Sequence, residues 1–83
     1  MSTTLVEEVV AVKASFNGTL IKPEFIAWRG RVIPIDQVNL VHHRFEGRVK
    51  QFIFSVSNNS AAYKLEFNTE NLMWKLLEIY TAG

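Results

Sequence analysis

The chain has 83 residues, 48% of them hydrophobic and 12% aromatic, with nine basic side chains against eight acidic ones for a net charge of +1. That length allows one small domain burying roughly 60% of its unfolded surface, and so rich an apolar content excludes a disordered chain. Absence of cysteine excludes disulfides and thiolate metal sites, and the near-neutral charge excludes nucleic-acid binding by bulk charge alone.

Met1-Ser2-Thr3-Thr4 is polar and is followed by Glu7 and Glu8, which is not the pattern of a signal peptide. No apolar run approaches the ~18 residues that would span a membrane. These features predict a cytoplasmic chain without membrane contact.

Residues 1–5 read as a flexible tail. From Glu8 onward, Val10, Val12, Ala14 and Phe16 alternate with Val9, Ala11, Lys13 and Ser15, the period of a strand. Asn17-Gly18 predicts a type I′ hairpin turn, and a second strand begins near Thr19-Leu20-Ile21. Pro23 offers no N–H to a ladder and marks an edge, a bulge or a strand start. The chain stays extended to Trp28, turns at Arg29-Gly30 and returns through Arg31–Ile35. Pro34 again points to an edge or a bulge, so this hairpin belongs on a sheet rim.

Val38–Phe45 reads as a strand, with a short helix through Val38, Val41 and Phe45 as the alternative. Glu46-Gly47 is a turn, Arg48–Ser57 a cleanly alternating strand, Asn58-Asn59-Ser60 a polar turn, and Ala61–Phe67 another strand. The last segment divides. Leu72, Leu76, Ile79 and Tyr80 share a helical face behind an Asn68 or Thr69 cap, and propensity fits a helix over about 70–80. Trp74, Leu76 and Tyr80 also suit a strand that closes a meander.

Pro23-x-Phe25-x-x-Trp28-x-Gly30-Arg31, then Ile35-x-x-Val38, Tyr63-x-Leu65-x-Phe67 and Trp74-x-Leu76-x-x-Ile79, follow one another in an order that resembles a family of small uncharacterised bacterial domains. Such domains stand alone or resemble C-terminal segments of proteins similar to translesion DNA polymerases. The resemblance covers residues 20–80 and implies an all-β meander, with a strand at 72–80. It implies no established activity and no catalytic residues.

The side chains carry little catalytic signal. His42 and His43, adjacent on a strand, point to opposite faces and cannot share a metal without Asp36 or Glu46. Ser55 and Ser57 have no base marked beside them, the carboxylates are scattered singly, and the four glycines form no phosphate loop. Neither an enzyme nor a metal or cofactor site is expected.

Arg29 and Arg31 flank a turn next to Trp28, and Arg44, Arg48 and Lys50 lie on the strands that follow. Guanidiniums grip phosphate bidentately and an indole stacks on bases, so these six residues form the candidate binding set, as on small β-barrels that hold single strands. The plainer reading puts Trp28 in the core and pairs the arginines with Glu24, Asp36 and Glu46. The sequence thus predicts a single all-β domain, a bent, barrel-like antiparallel meander of six or seven strands, with an α+β fold carrying a C-terminal helix as the alternative. It predicts a non-enzymatic binding or adaptor module that contacts a protein, a DNA-repair partner or single-stranded nucleic acid. The alternatives are a structural homodimer acting by assembly and a barrel that binds a small ligand.

Overall fold

The computed structural model describes residues 2–82. Seven strands account for most of them: β1 (Ser2–Asn17), β2 (Leu20–Trp28), β3 (Arg31–Pro34), β4 (Gln37–Glu46), β5 (Val49–Ser57), β6 (Ala61–Asn68) and β7 (Trp74–Thr81). There is no helix among the described residues, so none is long and apolar enough to cross a membrane. All neighbours are antiparallel, in the order β3-β2-β1-β7-β6-β5-β4. Successive strands therefore form hairpins everywhere except between β3 and β4, where the sheet stays open instead of closing into a barrel.

β1 makes the bend. Its first half, Ser2–Val10, pairs with β7, and its second half, Ala11–Asn17, pairs with β2. One arm of the sheet thus holds β1 to β3 and the other holds β1 and β7 to β4. The ladder of β1 with β7 begins at Ser2 opposite Thr81, so Ser2–Leu5 form strand where the sequence reads a tail. Met1 lies outside the described residues.

Extra residues at bulges bend the strands further. They are Val6-Glu7 in β1, where Glu7 takes φ 53°, Glu24 beside Pro23 in β2, Asn39 in β4 and Leu77 in β7. The turn after β1 is displaced by one residue from the predicted Asn-Gly turn. Asn17 pairs with Leu20, and Gly18, first of the two loop residues, alone has positive φ, the pattern of a type II′ turn. The type I′ pattern falls instead on Arg29-Gly30, with φ of 50° and 75°.

The arms fold onto each other and bury Ile26 and Ile33 against Phe54, Val56, Tyr63, Leu65, Phe67, Trp74 and Leu76. Trp74 sits at the centre, its ring 4.6 Å from that of Phe67 and 5.3 Å from that of Phe54. The helical alternative for 70–80 does not form, because β7 is laddered on both sides, by β1 and by β6. Asn68 does not cap a helix. Its side chain accepts from the N–H groups of Glu70 and Asn71, and Leu72, with φ 61°, remains 68% exposed. Two full ladders and the inward alternation of Trp74 and Leu76 outweigh a propensity difference of tenths of a kcal/mol per residue.

Leu72 and Leu76 share a face on a helical wheel but not in this structure. Leu76→Ala should destabilise the fold by ~2–5 kcal/mol, while Leu72→Ala should change it by less than about 0.5 kcal/mol. Urea unfolding of the two variants checks this, since a helix would make both costly.

Candidate functional site

The six candidate residues fall into separate environments. Trp28 is half-buried, packs against the core, and donates its Nε1–H to Glu8 Oε1 at 3.0 Å. Arg29 pairs with the other oxygen of the same carboxylate and lies 4.6 Å from the Trp28 ring. Glu8 comes from the bulged part of β1 and holds both residues of the β2–β3 hairpin. The Arg29 hydrogen bond, and after it the Trp28 hydrogen bond, keep the Glu8 carboxyl below its ordinary value of 4.5. The sequence offered Glu24 as an arginine partner, but Glu24 accepts from the Ser15 hydroxyl at 2.7 Å.

Arg44 lies on the outer face of the larger arm. Its guanidinium reaches Glu66 Oε2 at 2.6 Å and donates to Gln51 Oε1 at 3.1 Å. Glu66 and Gln51 are buried, and their network borders an outer cavity of about 400 Å³ with Glu46 and Lys75. No buried side-chain N or O among the described residues lacks a partner. Lys50 points to the other face, opposite Phe45, with its ammonium 4.9 Å from the Phe52 ring centre. Arg48 is exposed in the β4–β5 turn, and Arg31 borders a hollow with Asn58, Asn59 and Ser60 of the β5–β6 turn.

Arg48 and the hollow beside Arg31 lie at opposite ends of β5, and Arg29 is held by Glu8 of β1, four strand positions along the sheet from β4. The structure therefore brings together Trp28 with Arg29, and Arg48 with Lys50, but not the six as one surface. His42 and His43 diverge as expected: His43 packs near the rings of Phe45 and Phe52, while His42 lies opposite Ile53. No group of three or more His, Cys, Asp or Glu able to hold a metal occurs among the described residues.

What the fold does bring together is the open side between β3 and β4. The two edges differ. Pro34 ends the four-residue β3. Trp28 and Arg31 close a two-residue turn and exchange hydrogen bonds, so alternate residues direct their backbone groups outward. By that parity Pro34 lacks an N–H on the open edge, and its carbonyl is taken by Asn58 Nδ2 at 2.8 Å. β4 has ten residues, nine of them exposed, and no proline. Only its first third is bulged, at Asn39. Next to it, Leu20, Ile21, Val41, Phe52 and Phe54 line an apolar cleft of about 140 Å³. The sequence shows each of these residues, but not that the sheet stays open at β4 and leaves Leu20 and Val41 exposed beside it.

Comparison with known proteins adds no relative: no family model, curated protein or solved structure matches the chain.

Because Glu8 has a lowered folded-state pKa, its contribution to stability is complete above the ordinary carboxylate range and is lost as pH falls through the folded value. Glu8→Gln keeps an acceptor for Trp28 but removes that contribution. The stabilities of wild type and Glu8→Gln should differ at pH ~6 and draw together as the pH falls below the ordinary carboxylate range. Denaturant unfolding across that range is the check, and a difference that does not vary with pH would show that the charge on Glu8 is irrelevant.

Proposed function

We propose that the chain is a non-enzymatic protein-interaction module that works by strand addition at β4. The observation that carries this reading is the pairing of a long edge strand, bulged only in its first third and free of proline, with an apolar cleft. An exposed edge presents a row of free N–H and C=O groups that template another strand. Modules of this kind take affinity from main-chain hydrogen bonds and specificity from hollows that receive alternate side chains.

The parity of β4 identifies the groups involved. Glu46 and Val49 flank the two-residue Gly47-Arg48 loop and form a hydrogen-bonded pair, so Glu46, Arg44 and His42 bond to β5. Val41, His43 and Phe45 then direct their N–H and C=O groups to the open edge. Their side chains lie on the same face as the cleft. Nucleic-acid contact has less support, because Arg29 and Arg44 are engaged by Glu8 and Glu66.

Selection from a library of random extended peptides tests the reading. Selected peptides should alternate apolar residues, bind the wild type nearly independently of salt, and lose binding to Val41→Lys while that variant stays folded. Failure to select any peptide sensitive to β4 would refute strand addition. Saturable Trp quenching by single-stranded oligonucleotides that fades with salt would instead favour the arginines.

A further inference from the structure

We infer that the strand added to β4 is the β4 of a second copy of this chain, running antiparallel across a two-fold axis at His43. This rests on the reading of β4 as an edge that accepts a strand. The two edges of the sheet decide between kinds of assembly. A head-to-tail chain of copies would pair β4 with β3, and β3 is short, ends in Pro34, and has the carbonyl of that proline occupied by Asn58. A β4–β4 contact uses the same open edge twice and closes at the dimer.

The axis is set by parity and by side-chain chemistry. With the axis at His43, the outward-bonding residues Val41, His43 and Phe45 meet Phe45, His43 and Val41 of the second copy. Aromatic against β-branched is among the favourable cross-strand pairings, and here it occurs twice. On the other face Arg44 meets His42. Other axes fare worse. One at Val41 brings Glu46 against Asp36, one at Arg44 sets the two guanidiniums face to face, and one at His42 puts Phe45 against Asn39 in the bulge. Axes nearer either end of β4 pair fewer residues.

The same register fills the cleft. Val41 is one of its walls, so Phe45 of the second copy, directly opposite Val41, is placed to enter beside Leu20 and Phe52. Leu20, Val41 and Phe45 are 67%, 45% and 63% exposed in the single chain. Together they offer on the order of 300 Å² of apolar surface per copy, more than a third of the ~800 Å² per partner of a stable interface, with the edge backbone and polar β4 side chains contributing further area.

Sedimentation equilibrium of the full chain, with two kinds of variant, tests this. The wild type should dissociate from dimer to monomer on dilution. His43→Pro removes an N–H that faces the open edge and leaves the β5 ladder intact, so it should give a folded monomer. Phe45→Lys should weaken association by about thirtyfold or more, the loss of a central anchor. If His43→Pro fails to fold, His43→Cys decides. The chain has no other cysteine, and oxidation should cross-link His43→Cys across the axis but not His42→Cys. A wild type that stays monomeric at high concentration, a dimer indifferent to Phe45→Lys, or cross-linking of both cysteine variants alike would overturn the inference. A monomer that still binds the selected alternating peptides at β4 would leave strand addition standing and remove only the second copy as its partner.

Discussion

The structure depends on one strand belonging to both arms. β1 gives its hydrogen bonds to β7 as far as Val10 and to β2 from Ala11 onward, so the two ladders meet in the middle of a single strand. Val10, Val12 and Ala14 therefore face inward along the bend, and the residues of β2 and β3 can reach those of β5 to β7. An 83-residue chain without disulfides needs this arrangement. A flat seven-stranded sheet would leave one face in water, whereas folding it about β1 lets Ile26 and Ile33 cover the aromatic centre. The opening between β3 and β4 is the complement of that choice. After β3 the chain returns to the larger arm through the two-residue link Ile35-Asp36, and the strands on either side of this link do not pair.

Charge is used within the fold before it is available to anything outside. Glu8 fixes the β2–β3 hairpin through Trp28 and Arg29, and Glu66 tethers β4 through Arg44. The two pairs differ in character. Arg29 and Glu8 are both well exposed, so solvent screens their attraction and the contact mainly orients the hairpin. Glu66 is nearly buried and gains from Arg44 the charged partner that a buried carboxylate requires. This second pair joins the edge strand to β6, across β5, and so supplements the single ladder that otherwise holds β4.

Much of the strand pattern was legible in the sequence, because alternation survives wherever one face is buried. Arg48–Ser57 and Ala61–Phe67 could be assigned nearly to their limits, and the turns at Arg29-Gly30 and Asn58–Ser60 stand where glycine and asparagine suggested. Segments without that contrast were harder. β4 is exposed on both faces, so Val38–Phe45 admitted a helix. β7 has good helix formers, and only its two flanking ladders, with β6 and with β1 more than 60 positions away, settle it as strand. The first turn was misplaced by one residue because Asn-Gly fits a type I′ turn, while the actual register puts Gly18 at the first loop position. The partners of the arginines were invisible for a related reason. Glu8 and Glu66 reach Arg29 and Arg44 only through pairing register, whereas the carboxylates nearest in sequence, Glu24 and Glu46, are directed elsewhere.

The open edge is also connected to the core by an unbroken aromatic run. Rings pass from Phe16 through Phe67, Trp74, Phe54, Phe52 and His43 to Phe45, each centre within 6.4 Å of the next. Exposure rises towards both ends, with Trp74 buried and Phe16 and Phe45 largely in water. Solvation alone does not account for Phe45, since a polar residue there would blunt the edge. Burial does account for it when another strand lies along β4. In that proposed assembly the aromatic face continues across the new ladder, and Phe45 becomes interior to a larger sheet. The backbone supports the same conclusion independently, because Val41, His43 and Phe45 are the positions whose peptide groups face the opening. Side chains and main chain thus support the same proposal, an antiparallel strand with apolar residues at alternate positions along β4.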